Sequence, residues 1–511
     1  MNPRLKKILL GLLAAALLSA AGVTQRSLNR DRAELGLTRV EPLENAPPVL
    51  AFTTVALGGF RGLISNALWI RANELQENDK FFEMSQLAGW ITKLEPHFVQ
   101  VWLVQAWNMA YNISVKFKEN GPGDYTDRWR WVQRGIELLR DEGLKYNPNE
   151  LLIYRELSWF FQHKIGANLD DGHMFYKSQW IKETSKVFGS TNGVGLNSLV
   201  NPTTQDLSNR VGILRNELKM DPQMVLEVDR QHGPLDWRMP ETYAIYWAYV
   251  GLTRARQFPE RIKQDDIMTL RRVIYQCMQL SFQRGRLIPN YFEGAFEYGP
   301  NMEIIPNVSA AYELQMAEQP DMRNNIATGH RNFLREAVYV LYLNGRERDA
   351  ARWFKYLGEK YPEKPLLDGQ MDSLPGRVTL DEFAYSKLQE LIGDMGQKDM
   401  KIVLEGLITQ SYLALVTDQD ERAAGFINLA RQAHTRYQAS VTSRKGQIDM
   451  PPFEDIQREV LDRMLDPETG LQDEAAAVLA SKLGVALPPR VERSPAAPDN
   501  PGPSEPAPAA K

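Results

Sequence analysis

The polar residues best suited to chemistry cluster at residues 232–238, which read HGPLDWR. Asp236 and Arg238 are residue types that position a ligand carboxylate or a sugar hydroxyl, and Trp237 offers a ring on which such a ligand stacks. Together with His232 they form our first set of partner-binding candidates. The alternative is an ordered loop in which these side chains bond to one another and to the backbone.

A second cluster, YTDRWRWVQRG at residues 125–135, alternates tryptophan with arginine. Trp129 and Trp131 are two residues apart, so on a helix they face different directions, and we expect one in the core and one at the surface. Aromatic and basic residues interleaved in this way bind nucleic acid in some proteins. A net charge of −4 argues against nucleic acid here. Both tryptophans are further partner-binding candidates, with Arg–Trp stacking or contact with anionic lipid headgroups as the alternatives.

Other groups of residues give weaker evidence for a functional site. His163, Asp170, Asp171 and His173 are grouped as metal ligands are, but their spacing matches no zinc motif. The sequence contains no GxSxG, phosphate-binding loop or dinucleotide fingerprint. Cys277 is the single cysteine, which excludes an intrachain disulfide, and its apolar surroundings predict a buried thiol. We therefore expect no catalytic residue, no metal and no cofactor.

The amino terminus has the pattern of an export signal. Arg4, Lys6 and Lys7 precede an uncharged apolar run at residues 8–24. Because this run is at the short limit for spanning a bilayer, a retained anchor and a cleaved signal are both open. In either case the body is predicted to lie in a bacterial periplasm. A second apolar stretch, 49–70, contains an arginine, and we interpret it as the first buried helix of the exported body.

The spacing of prolines and aromatic residues indicates how the helices are arranged. Pro96 and Pro148 each close an apolar helical run, and Trp102 and Tyr154 follow six residues later. Small residues let two antiparallel helices approach, aromatic residues fill the groove against the next pair, and proline ends the second helix. The two matching patterns predict successive helical hairpins that use one packing arrangement.

Residues 65–98 form a 34-residue unit with apolar or small residues at the expected helix crossings: Leu68, Ala72, Leu75, Met84, Ala88 and Ile91. Further matches lie at 331–362, around the turn Asn344-Gly345, and at 401–437. These segments resemble the tetratricopeptide repeat (TPR). With its LGGFRGL, LWIRA and LEP segments, the chain is also similar to bacterial membrane-anchored repeat proteins that have no assigned activity. The resemblance implies an all-α, TPR-like solenoid of helical hairpins.

Composition shifts divide the chain, and one loop-rich segment interrupts the repeats. We expect a signal peptide or anchor at 1–24, a linker at 25–48, TPR-like repeats at 49–187, an irregular loop-rich and helical middle region at 188–320, TPR-like repeats at 321–484 and a disordered tail rich in proline and alanine at 485–511. Within the middle region, a long loop is expected at 189–209, and a helix that is aromatic nearly all round begins at Pro240.

The resemblance favours a non-catalytic scaffold over an enzyme. A curved array of hairpins has an extended concave surface that suits a protein or peptide partner. Attached to the inner membrane through its N-terminal segment, such a protein would serve envelope assembly, secretion or polymer export. The alternative is an exported all-α glycan-active enzyme or carbohydrate-binding protein with an aromatic groove. Cleavage would need two acids, such as Asp236 with Glu241 or Glu293 with Glu297.

Overall fold

The computed structural model describes residues 3–34, 60–189, 194–258, 263–290, 295–367, 369–392, 397–442, 450–467 and 469–488. Across these ranges the chain is mainly helical, which confirms the all-α prediction. The only sheet found in them has two antiparallel strands, β1 (Arg286–Asn290) and β2 (Ala295–Gly299). The 35–48 part of the predicted linker, most of the predicted tail and Glu293 lie outside the described residues.

Two compact units divide the chain, and the first comprises residues 1–108 and 145–148. Its helices are α1 (Pro3–Glu34), α2 (Phe60–Glu77), α3 (Phe81–Leu94) and α4 (Val99–Trp107). Helix α1 continues ten residues beyond the apolar run, and its leucines from Leu12 to Leu18 are exposed. Of the helices in the described ranges, none combines the length and apolarity that crossing a bilayer requires.

Helices α2 and α3 form the hairpin that the 34-residue unit predicts. Ala72 and Leu75 pack with Met84 in one buried cluster, and Ala88 and Ile91 pack with Val101 in another. The predicted helix-crossing positions therefore lie in the core, except that Leu68 is only partly buried.

The proline after α3 has a clear structural role. The backbone carbonyl of Pro96 accepts a hydrogen bond from Trp102 Nε1 at 2.9 Å and another from Asn147 Nδ2 at 2.8 Å. The aromatic residue six positions after the proline thus ties the turn to the next helix. The stretch 49–70 is less buried than predicted, because Leu63 and Ile70 lie on the face of α2 opposite the core and are exposed. Its first residues, 49–59, lie outside the described residues.

The second unit comprises residues 109–144 and 149–511. Its first helices are α5 (Thr126–Glu137), α6 (Leu151–Trp159), α7 (His173–Phe188), α8 (Leu196–Val200), α9 (Gln205–Asn216) and α10 (Pro222–His232). Two of them end in π-helical turns, Leu138–Gly143 after α5 and Phe160–Ile165 after α6, and a third π-helical turn lies at Asn108–Ile113. The segment predicted as a long loop at 189–209 contains α8 and the start of α9, because its polar residues cap and flank short helices.

Helix α11 (Pro240–Gln257) begins at the predicted proline, and α12 (Gln264–Arg284) is its antiparallel partner. As its composition predicted, α11 is buried nearly all round, and Cys277 on α12 is fully buried. Gly251 permits the close packing of α11, since a Cβ there would lie 2.9 Å from both Leu270 Cδ1 and Tyr154 Cβ. Helix α11 therefore packs directly between α6 and α12.

The remaining helices follow β2: α13 (Ile305–Glu318), α14 (Arg323–Leu343), α15 (Glu347–Lys360), α16 (Leu380–Ile392), α17 (Gln397–Val416), α18 (Asp420–Thr442), α19 (Phe453–Met464) and α20 (Asp473–Leu483). The pairs α14/α15 and α17/α18 are hairpins at the two predicted positions, 331–362 and 401–437, and the first turns at Asn344-Gly345 as expected. The sequence pattern therefore predicted the positions of these local hairpins. The predicted segment boundaries at 187 and 320 do not coincide with the boundaries of the compact units.

Gly345 provides a test of how the two C-terminal hairpins meet. Its φ is +71°, and a Cβ would lie 1.7 Å from the backbone oxygen of Glu421 at the start of α18. We predict that Gly345→Ala lowers the free energy of unfolding by about 2 kcal/mol or more, because it combines left-handed strain with a clash against backbone. Urea denaturation of the purified protein measures the change.

Gly406→Ala is the matched control for this substitution. Gly406 lies within α17 and is exposed, and a Cβ added there would have no described atom within 4 Å. Alanine at this position should raise stability by up to about 1 kcal/mol, since glycine is a poor helix former. Equal effects of the two substitutions would contradict the close approach at Gly345.

Candidate functional site

The predicted candidates at 232–238 form an ordered loop between α10 and α11. Asp229 Oδ1, on α10, accepts hydrogen bonds from Trp237 Nε1 at 3.0 Å and from the Leu235 backbone N–H at 2.9 Å. Trp237 is 4% exposed, and its ring contacts Phe188 and Tyr243. The indole therefore fills the core between helices in this structure.

The charged residues of the loop bond to each other. Arg238 Nε donates to Asp236 Oδ1 at 2.8 Å, and its terminal nitrogen donates to Oδ2 at 2.7 Å. His232 lies edge-on to the Tyr249 ring, and burial lowers the pKa of its imidazole to about 4. These contacts match the alternative of an ordered loop. A role of the four residues in partner binding stays a prediction.

Trp129, by contrast, lines an open cleft formed by three helices of the second unit. Helix α5 contributes Trp129, Gln133, Ile136 and Glu137, and the π-helical turn after it adds Arg140 and Asp141. Helix α7 contributes Trp180, Glu183 and Lys186, and the C-terminal end of α9 closes the cleft with Ile213, Asn216, Glu217 and Leu218. The residues from α5 recur at i, i+4, i+7 and i+8, the spacing of one helix face. The cavity volume is about 360 Å³.

Two buried indoles form the aromatic part of the cleft. Trp129 is 6% exposed and stacks on Tyr176 with ring centroids 6.1 Å apart. Trp180 is 3% exposed and meets Tyr243 edge-on at 4.7 Å. Trp129 lies close enough to Glu183 to lower the pKa of its carboxyl, whereas Trp180 Nε1 has no acceptor in the described part of the chain. A buried indole N–H normally has a partner, so Trp180 departs from the usual pattern.

The charges around the cleft are unequal. Four carboxyl groups line it (Glu137, Asp141, Glu183 and Glu217), against the two cations Arg140 and Lys186. Arg140 is already engaged with Asp141, to which it donates two hydrogen bonds at 2.5 and 2.9 Å. Burial raises the pKa of the Glu183 carboxyl and of the Glu137 carboxyl, although Arg140 acts on both in the opposite direction and Lys186 also does so on Glu183. The cleft thus holds carboxyl groups in a desolvated, aromatic setting.

Trp131 faces away from Trp129, as the two-residue spacing predicted. It lines a neighbouring surface depression, which we call the shelf. It is half-buried, stacks on Phe117 with centroids 6.3 Å apart, and has the Arg134 guanidinium 5.5 Å from its ring. The predicted stacking of arginine on tryptophan therefore occurs here. Gln133 and Glu137 line both the shelf and the cleft, so the two predicted tryptophans belong to adjoining surfaces.

The grouping of His163, Asp170, Asp171 and His173 is a set of separate pairs. Lys164, fully buried, bonds Asp170 at 2.7 Å, and Arg128 bonds Asp171 at 2.9 Å. His163 contacts the Tyr111 hydroxyl, and His173 contacts Lys177 Nζ. Each acid is matched by its own cation, as buried charges require. Within the described ranges, no three such side chains converge as a metal-binding set.

The other acids considered for glycan cleavage are also placed by the structure. Glu241 is buried and pairs with Arg284 at 2.9 Å, while Asp236 is bound by Arg238. Glu293 lies outside the described residues. Sequence reasoning missed Trp180 and Glu183, which are one helical turn apart on α7. Their one-turn spacing was visible in the sequence, but nothing there showed that α7 packs beside α5.

His330 was also missed, and it is the centre of a buried hydrogen-bonded group. Its Nε2 is 2.9 Å from Ser309 Oγ, its Nδ1 is 2.9 Å from the Tyr361 hydroxyl, and Tyr312 stacks on its ring. Serine next to histidine is a pairing that activates nucleophiles. Here both are buried, and the group joins α13 and α14 to Tyr361 at the end of α15.

This group predicts a loss of stability in acid. Burial lowers the pKa of His330 to about 4, with Glu313 and Lys360 as its nearest charges. The unfolded chain therefore binds a proton below about pH 6.5 that the folded protein excludes, so stability falls as pH falls from 6.5 to 4. We expect a loss of about 2 kcal/mol at pH 5 relative to pH 7 from this residue. Urea denaturation at both pH values measures it.

His330→Gln is the control, because it keeps a donor and an acceptor but does not titrate. The variant should lose less stability than the parent between pH 7 and pH 5. An identical loss in both proteins would assign the acid sensitivity to other groups. Glu156 acts in the opposite direction, since burial raises the pKa of its carboxyl to about 7. It therefore favours the folded state at low pH.

Comparison with known proteins does not place this chain in a family. Comparison with protein-family models, with curated proteins and with solved structures gave no match. The TPR resemblance accordingly stays a prediction based on the spacing of residues within the hairpins.

Proposed function

We propose that this protein is a non-catalytic scaffold of the bacterial envelope that binds a peptide segment of a partner protein in the cleft between Trp129 and Trp180. The observation that carries the proposal is an open cleft of about 360 Å³ that is lined by two tryptophans and by unequal charge. A peptide segment has the apolar and polar groups that such a mixed lining binds. Elsewhere, the polar candidates that the sequence suggested are bonded within the protein.

The helical hairpins support the scaffold class. Neighbouring helices α2/α3, α14/α15 and α17/α18 pair within short stretches of chain, as in a TPR-like solenoid. An array of this kind positions partners along a surface, and its cleft volume of about 360 Å³ is at the small end of ligand sites. It fits one side chain with its flanking backbone.

Membrane attachment through the amino terminus is a second part of the proposal. The basic residues before an uncharged run at 8–24, and the exposed leucines of α1, support a signal or anchor at the inner membrane with the body in the periplasm. A cleaved signal would give a periplasmic protein with the same cleft.

The partner site is testable by crosslinking in living cells. We predict that a photoreactive amino acid at Gln133, on the rim of the cleft, gives a discrete adduct with one protein in the membrane fraction. The same amino acid at Lys355, an exposed position on α15, should give none above background. Adducts are measured by gel shift and mass spectrometry of the full-length protein.

Glu183→Gln in the Gln133 background should reduce the adduct, because this residue lines the cleft. Replacing residues 1–34 by a cleavable export signal should keep the adduct but move the free protein out of the membrane fraction. If Gln133 and Lys355 give the same pattern, or if Gln133 gives no adduct, the cleft is not the partner site.

A glycan-active enzyme is the second candidate, and one observation favours it. Glu137 and Glu183 line a cleft with two tryptophans, and burial raises the pKa of both carboxyl groups. A carboxyl group with a raised pKa is the form that protonates a leaving oxygen. If this candidate is right, the protein releases reducing ends from cell-wall glycan fragments, and Glu183→Gln abolishes the release. Absence of release by the parent protein rejects it.

A further inference from the structure

We propose that the cleft between α5, α7 and α9 recognises a single cationic side chain, a lysine ammonium or an arginine guanidinium displayed by the partner. This inference rests on the proposed function and adds the chemical class of the recognised group. It follows from two features of the cleft: the excess of acidic residues in its lining and its aromatic walls.

Acidic residues outnumber cations in the lining of the cleft, which favours a cation from outside. Arg140 is bound by Asp141, which leaves Lys186 as the one other cation among the lining residues, against Glu137, Glu183 and Glu217. Of the nearby arginines of α5, Arg130 pairs with Asp127 at 2.9 Å, and Arg134 lies over Trp131 while its charge lowers the pKa of Glu137. An anionic ligand would be repelled, and a neutral one would leave the acidic surplus in place.

The two indoles suit the same ligand. A cation near a tryptophan face gains attraction from the ring quadrupole, and the gain is larger where water is excluded. Trp129 and Trp180 are both almost fully buried within the wall of the cleft, and Trp129 lies close to Glu183. An aliphatic stem would pass the rings while the charged end meets the carboxylates.

The raised pKa of the Glu137 and Glu183 carboxyls adds a dependence on pH, because protonation in mild acid would remove the negative charges that the cation meets.

The test uses the full-length protein and three short peptides. They are acetyl-Gly-Gly-X-Gly-Gly-amide with X as lysine, arginine or norleucine, the last being an uncharged match for the lysine stem. We expect saturable changes in tryptophan fluorescence with the lysine or arginine peptide, and at least about tenfold weaker binding of the norleucine peptide, a difference of about 1.4 kcal/mol. Binding should also weaken as pH falls from 7 to 5.

Variants assign the effect to the cleft. The double variant Glu137→Gln, Glu183→Gln should weaken the cationic peptides about tenfold or more, with unchanged circular dichroism. Glu359→Gln, at an exposed acid of α15, is the control and should bind as the parent does. Equal binding of the norleucine and lysine peptides, or an unaffected double variant, would overturn the inference.

The two proposals fail separately. If Gln133 crosslinks a protein but the cationic peptides do not bind, the scaffold function stands and the lysine or arginine recognition is wrong. If the peptides bind but Gln133 yields no adduct in cells, the cleft is a cation site and the partner-binding function is wrong.

Discussion

The burial of α11 between α6 and α12 is the constraint on which the middle of the second unit depends. Gly251 allows the three helices to approach, because any side chain there would meet Leu270 and Tyr154. With its position set, α11 presents Tyr243 to Trp180 on one side and to Trp237 on the other. The Tyr243 ring therefore packs against both the wall of the cleft and the ordered loop at 232–238.

Several ionised groups of the interior are paired with an opposite charge. Lys164 has Asp170, Arg128 has Asp171, and Glu241 has Arg284. Burying a charge without a partner costs several kcal/mol, so such pairing is what stability requires. The cleft, by contrast, is lined by carboxyl groups with raised pKa, and the buried Trp180 N–H in its wall has no acceptor in the described chain. Departures from polar matching are expected where a protein binds something else.

The hairpins were largely predictable because their determinants are local. Proline at Pro96, the turn Asn344-Gly345 and small residues at Ala72 and Ala88 act within one or two helical turns of chain, and the structure places helix ends and crossings there. The irregular features were not predictable in the same way. The π-helical turn at Leu138–Gly143 brings Arg140 and Asp141 to the cleft. No distinctive amino-acid composition marks this turn, because it arises from the packing of the helices.

The sequence by itself determined the helical class, the positions of the main hairpins, the buried thiol of Cys277 and the opposite facing of Trp129 and Trp131, because each follows from helical periodicity and side-chain polarity. Only the tertiary structure decided which polar residues bond to other groups inside the protein and which line a cleft. Trp237 and Trp129 have similar sequence surroundings, yet one is bonded to Asp229 inside the core and the other lines an open cavity. That difference arises from packing between helices far apart in the chain, where no local pattern specifies the neighbour.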